Sequence, residues 1–299
     1  MTRRTGQLAL TNVRGVDVAH WDPRRRTSTW GAPRRYARPV RNFGDLLGPL
    51  IVRALVRELG LGTRAGPNAR LLAIGSVLHF AEVADVVWGA GVNAKAGTEL
   101  AELPHIDFRA VRGPRTHALL AEHGLDAPRV FGDPALLLGA VMPHLVVSDE
   151  RRRGISVVPN LNELAQLRSR SQVVNPRWPL RRVLHRIAAS ELVVGSSLHG
   201  IIVAESLGVP ARAVRTSVEG TVKYEDYYLA TGRDPDVVLA ETSDEAIARG
   251  GAEPPRWDPR PLLTAFPAEL WSGVPHLARL ADRAARLDGR HAVESEATN

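Results

Sequence analysis

The 299-residue chain contains no cysteine. That absence excludes a disulfide framework, a thiolate metal site and a thiol nucleophile together. Lysine is scarce as well: of 39 basic residues only Lys95 and Lys223 are lysines, and the other 37 are arginines. Together with 26 glycines and 21 prolines, this is the composition of a chain encoded by GC-rich DNA. Aromatic residues make up 5%, too few for the stacking platforms that hold single-stranded nucleic acid. No apolar run approaches the roughly 20 residues of a membrane helix. The amino-terminal "LAL" is also too short for the apolar core of a signal peptide, so the expectation is a cytoplasmic protein. Motifs are missing too: there is no Walker A loop, no G-x-S-x-G, no H-E-x-x-H and no clean G-x-G-x-x-G. His79, His105 and His117 have no metal-ligand spacing, so no metal is expected.

What is present is basic. The formal net charge is +7 and the isoelectric point is near 10.6. Apart from Arg24–Arg26 and Arg151–Arg153 the arginines are dispersed, which argues against a nucleic-acid partner and for affinity towards anionic substrates or membrane surfaces.

Short apolar runs alternate with helical patterns, which specifies an α/β fold with mainly parallel strands. After a polar, arginine-rich start, "NFGDLLGPLIVRALVRELG" reads as a loop and a helix stopped at Gly60. "RLLAIGS" and "DVVWGAG" read as buried strands. "FRAVRGPRTHALLAEHGL" reads as a strand, a turn, and a helix from Pro114 to Gly124. "PRVFGDPALLLG" repeats the device at Pro134. Residues 142–153 form a polar bridge, after which "GISVVPN", "SQVVNP", "ELVVGS" and "VPARAVR" read as strands. "WPLRRVLHRIAAS", "SLHGIIVAESLG" and "VKYEDYYLATG" read as helices. The tail from Asp234 offers two more helices, "PLLTAF" and "HLARLADRAARL", and a frayed end at "HAVESEATN".

His199 stands in "ELVVGSSLHGIIVAESLGVP", in the first turn after a parallel strand, where α/β folds bind ligands and helix N-termini attract anions. Ser196 and Ser197 suit helix capping or phosphate contacts, and Gly200 allows close backbone approach. A capped helix with a satisfied core histidine is the structural alternative. Arg112 and Arg115 flank a strand-to-helix turn, a placement suited to gripping a carboxylate or phosphate, or else to solvent. Asp45 precedes a helix, where capping is the common role. Asp133 belongs to an Asp-Pro turn and reads as structural. Lys223 is a compact ammonium in an arginine-using chain, beside Glu225 and Asp226, the latter at the spacing of an i,i+3 pair.

In the order "NFGDLLGP", "VWGAGVN", "AVRGPRTHALLAEHG", "VFGDPALLL", "VVGSSLHGIIVAESLGVP" and "KYEDYY", the chain resembles the polysaccharide pyruvyltransferase family over about residues 41–230. The likeness is in particular to the exopolysaccharide ketal pyruvyltransferases of the xanthan and succinoglycan type. The resemblance implies two Rossmann-like domains in a GT-B-like arrangement; with the polar bridge as linker, they are expected at 1–145 and 146–233, followed by a helical tail at 234–299. It implies phosphoenolpyruvate as donor substrate, no cofactor, and a sugar diol of a glycan, nucleotide-linked, lipid-linked or polymeric, as acceptor; with a lipid-linked acceptor, the arginine-rich surface would allow peripheral contact at the inner membrane. His199 matches the family's catalytic histidine, and Arg112 lies in the segment that supplies a donor-binding arginine. Asp45, Lys223 and Glu225 match family motifs. Many relatives carry arginine where this chain has Ser197, a loss that Arg115 or Arg215 would have to make good. The rival readings on the same scaffold are a glycosyltransferase using a sugar nucleotide, with Glu205 on the ribose, and a non-catalytic glycan- or metabolite-binding protein.

Overall fold

A computed structural model describes residues 2–5, 8–25, 38–92, 105–167, 171–216, 218, 220–275 and 280–285. It is a mixed α/β protein with mainly parallel sheets, as the alternation of runs requires. In the first half, strands β1 (Thr2–Thr5), β2 (Leu8–Val13) and β3 (Val16–Trp21) form an antiparallel meander. A two-residue ladder, β4 (Arg24–Arg25) with β5 (Arg38–Pro39), follows. Strands β6 (Ala69–Leu72), β7 (Val86–Trp88) and β8 (Asp107–Ala110) then extend β3 in parallel, giving the order β1-β2-β3-β6-β7-β8. In the second half, β9 (Ile155–Val157), β10 (Leu192–Gly195) and β11 (Ala211–Ala213) form an all-parallel sheet in the order β11-β10-β9.

Two expectations need correction. The start of the chain, read as merely polar, contains β2 and β3. Their apolar alternation is interrupted by Asp17 and His20, which are buried and paired: Asn12 donates to Asp17 at 2.8 Å, and Thr11 Oγ1 lies 3.0 Å from His20 Nε2. Conversely, "SQVVNP" is not a strand but a single parallel bridge between Val173 and Val157. Asn175 ends the pairing, because its side-chain oxygen accepts from the Arg177 N–H and opens a turn.

Helices form at the segments whose periodicity predicts them, and short ones at Leu164–Leu167, Pro235–Val238 and Ser243–Arg249 add to these. Helix α1 (Leu47–Glu58) buries Leu47, Ile51, Val52 and Leu55 on one face, and α2 (Pro114–Glu122) opens with its proline in the first turn. Asp133 caps a 3₁₀ turn, Pro134–Leu137, that runs into α3 (Leu138–Val141). Helices α4 (Leu164–Leu167), α5 (Leu180–Ala188), α6 (Leu198–Ser206) and α7 (Val222–Ala230) follow in the second half; α6 packs on β10 and β11, α5 packs on α6, and α7 packs on α2. Almost every α6 side chain is buried, so it is a core helix; α5, with four exposed positions among Arg181, Arg182, His185 and Arg186, is an amphipathic one.

The tail serves both halves. Ala240 bridges Val214 in parallel, beside the second sheet. The chain then crosses to the first half, where the helix Pro259–Thr264 forms as expected. There the indole N–H of Trp88 donates to Leu262 O at 2.8 Å, and that of Trp271 donates to Val13 O at 2.9 Å. Phe266 packs against both indoles. Residues 280–285 are helical, while the flanks of "HLARLADRAARL" and the segment "HAVESEATN" lie outside the described residues. A continuous apolar core runs from Val13 through Phe43, Leu138 and Ile201 to Leu280, joining the two halves. No helix among the described residues is long and apolar enough to cross a membrane.

Candidate active site

A cleft of about 350 Å³ opens between the two halves. Its lining follows the carboxyl ends of parallel strands: Trp21 after β3, Ser76 and Val77 after β6, Val92 after β7, Arg112 after β8, Asn160 after β9, and Ser197 and His199 after β10. At those ends the chain turns away and leaves backbone groups facing outward, the usual ligand position of an open α/β sheet.

His199 is the second residue of α6, and its side chain is 15% exposed. The turn that places it is tight. Ser197 caps the helix, its Oγ accepting from Gly200 N at 3.3 Å, and a Cβ at Gly200 would fall 2.8 Å from Val158 Cγ1. The open N–H groups of the first turn therefore face the cleft beside the imidazole. Behind the cleft wall, Nε2 of His199 lies 3.6 Å from Oδ2 of Asp133, which is wholly buried.

Arg112 supplies the positive charge of the floor. It is buried, and three of its five N–H bonds are engaged among the described residues: Nε with Asp226 at 3.2 Å, Nη1 with Ser76 at 2.9 Å and Nη2 with the Val92 carbonyl at 3.2 Å. One N–H on each terminal nitrogen makes no hydrogen bond among the described residues. The guanidinium lies flat on Gly91, where a Cβ would come within 2.3 Å of Cζ. Asp226, also buried, accepts from the backbone N–H groups of Arg115 at 2.9 Å and Thr116 at 3.1 Å, so a carboxylate of α7 caps α2 while it holds Arg112. Lys223, one turn before the partner carboxylate, lines the cleft, with its Nζ 5.0 Å from the centre of the Tyr224 ring. The pairing with Asp226 that spacing offered to Lys223 is taken by Arg112.

Other expected residues are placed differently. Asp45 lines the cleft and accepts from Asn42 Nδ2 at 2.7 Å; the residue preceding α1 is Leu46, so Asp45 is not that helix's cap. Ser196 does not line the cleft. Its hydroxyl donates to the buried Glu163 and accepts from Asn160 N at 3.1 Å, and its carbonyl accepts from the Tyr224 hydroxyl. Arg115 points outward, with a half-exposed side chain paired to Glu225 at 3.1 Å, and Glu225 also accepts from Thr221 at 2.7 Å. Neither Arg115 nor Glu225 lines the cleft. Arg215 is committed to Asp236 and Glu241 on the surface. Neither arginine therefore lines the cleft in the way the family resemblance would ask of a substitute at Ser197, and among the described residues Lys223 joins Arg112 in its lining.

Glu205 is also elsewhere. Arg233 grips its two oxygens at 2.6 and 3.0 Å and the Tyr227 hydroxyl donates to it, which leaves no free edge for a ribose. Burial, reinforced by the Glu205 charge, holds the Tyr227 hydroxyl well above its ordinary pKa, so it stays a donor. Sequence reasoning did not find Trp21, Asn42, His79, Asn160 and Asn162, which complete the lining. Trp21 ends a strand that was not recognised, and isolated asparagines carry no spacing signal. Among the described residues no three His, Asp or Glu side chains converge as metal ligands.

Fold and site together define an α/β protein with a cleft at its strand ends, lined by Arg112, Lys223 and the helix-mounted His199. Residues 12–217 match the polysaccharide pyruvyl transferase family, and the chain belongs to that family. It is similar to the succinoglycan biosynthesis protein ExoV of Rhizobium meliloti (strain 1021), with 27% identity in an alignment of 213 residues that covers 62% of this chain. The match spans 61% of that relative's length.

Proposed function

We propose that the cleft transfers a pyruvyl group from phosphoenolpyruvate to two hydroxyls of a glycan, forming a cyclic ketal and releasing inorganic phosphate. One observation carries the reading: Arg112, Lys223 and the α6 N-terminus converge with His199 in a single cleft. The three positive groups suit the carboxylate and phosphate of the donor, and the imidazole stands where a proton must move. Asn42, Asn160 and Asn162 offer amide donors and acceptors to sugar hydroxyls, and Trp21 offers a flat apolar face to a pyranose ring. On this reading the two sheets are Rossmann-like halves meeting at the cleft in a GT-B-like arrangement.

In the proposed reaction His199 delivers a proton to C3, and the C2–C3 π electrons form the new C–H bond. The cationic C2 is shared with its ester oxygen, and the first sugar hydroxyl attacks it, giving up its proton to the imidazole. Phosphate departs with the C2–O bonding pair, aided by Arg112 and Lys223. The second hydroxyl then attacks C2, and its proton leaves with the phosphate. One hydroxyl proton thus ends in the product methyl group and the other on phosphate, so the balance closes without a cofactor.

Phosphate release from phosphoenolpyruvate, measured with a panel of galactosides, glucosides and mannosides, tests the reading. Release is expected to depend on the acceptor and to fall about 10²–10⁴-fold in His199→Gln, the usual worth of a positioned acid–base group. Normal turnover in that variant would refute it.

A further inference from the structure

We infer that Asp133 is a positioning residue that fixes the tautomer of His199, so that Nε2 holds the resident proton and Nδ1 exchanges protons with the reactants. The inference rests on the reading of His199 as the proton-transfer group.

The two oxygens of Asp133 have different surroundings. Oδ1 accepts from Ala135 N at 3.0 Å and caps the Pro134–Leu137 turn, the structural role an Asp-Pro sequence suggests. Oδ2 is buried and makes no hydrogen bond among the described residues. A carboxylate oxygen is rarely buried without a donor, and His199 Nε2 stands 3.6 Å from it. That separation is within ion-pair reach, and such contacts tighten when substrate fills a site. An ionised carboxylate can only accept, so Nε2 must be the N–H side of the ring and Nδ1 the side with the lone pair.

The opposite edge of the ring agrees. A Cβ at Gly44 would lie 2.5 Å from Nδ1 and 3.0 Å from Cβ and Cγ of His199. A side chain there would press on the ring at its rigid base as well as at its edge, so glycine is what keeps Nδ1 approachable. Asp133 and Gly44 both belong to the first half of the chain and His199 to the second, so the reactive edge of the imidazole is selected by residues of the other half packed directly against the ring.

Asp133→Asn separates this role from capping. The asparagine carbonyl can still accept from Ala135 N, which turns its amide N–H groups towards Nε2. Nε2 must then accept, and the proton moves to Nδ1. Two-bond ¹H–¹⁵N spectra of the full chain without substrate, at a pH where the ring is neutral, read the tautomer directly, with His199 assigned by the peak lost in His199→Gln. The expected results are Nε2–H in the wild type and Nδ1–H in Asp133→Asn, with phosphate release lower by about 10²–10⁴-fold, the scale of acid–base catalysis. Gly44→Ala should keep the Nε2–H tautomer and yet lose release. A wild type in the Nδ1–H form, or an Asp133→Asn protein with an unchanged tautomer, overturns the inference, and the wild-type spectrum decides even if a variant does not fold. A tautomer switch in a protein that releases no phosphate with any acceptor would uphold the assignment and refute the phosphoenolpyruvate reading instead.

Discussion

Arg112 and Lys223 look alike in charge and differ in everything else that matters. Arg112 is locked by Asp226, Ser76 and a backbone carbonyl, so its guanidinium is a fixed part of the floor. Lys223 sits half-buried at the rim on a flexible stem. Lys223→Met should therefore leave the fold intact and raise the KM for phosphoenolpyruvate about 10- to 100-fold, the worth of one charge-assisted hydrogen bond; steady-state phosphate release measures it. Arg112→Lys should reduce both activity and stability, because an ammonium cannot span three partners in a plane. The places of His199 and Arg112 in the cleft were legible in the sequence because each is a polar side chain beside a strand-to-helix turn. The second task of Asp133 was not, since its turn already explained the residue and its partner is remote in the chain.

At the scale of elements, the joint that matters is α7 on the N-terminus of α2. Asp226 satisfies two backbone N–H groups of α2, the Thr116 hydroxyl and Arg112 at once, from the other half of the chain. Removing it leaves a buried guanidinium without its counter-ion and a helix end without its cap, so Asp226→Ala should cost about 3–5 kcal/mol in urea unfolding. Thr242→Ala makes a control. Thr242 caps the exposed helix Ser243–Arg249 by accepting from Glu245 N at 3.1 Å, and its loss should cost about 1 kcal/mol. Helices α1, α2, α5, α6 and α7 could be read from period and punctuation alone. The β2–β3 hairpin could not, because its polar residues face partners inside the sheet, and a pattern read against water mistakes them for surface. The over-read strand at Val173 is the converse case: two valines satisfy the pattern, but the following Asn-Pro ends the ladder.

For the whole molecule, the uninterrupted core and the returning tail make the two halves energetically one body. Urea unfolding followed by tryptophan fluorescence and by far-ultraviolet circular dichroism should give coincident single transitions. Truncation after Pro255 removes Phe266 and Trp271 and takes the acceptor from the buried Trp88 indole. The shortened chain should therefore elute as aggregate in gel filtration, without the native spectrum. The return of the tail also bears on biosynthesis. The six-stranded sheet is complete in sequence at Ala110, yet the residues that cover Trp88 and close on Val13 leave the ribosome some 160 residues later, roughly 10–30 s at ordinary elongation rates. Throughout that interval the nascent protein exposes an apolar seam, making it a natural client for a chaperone that recognises unfinished chains.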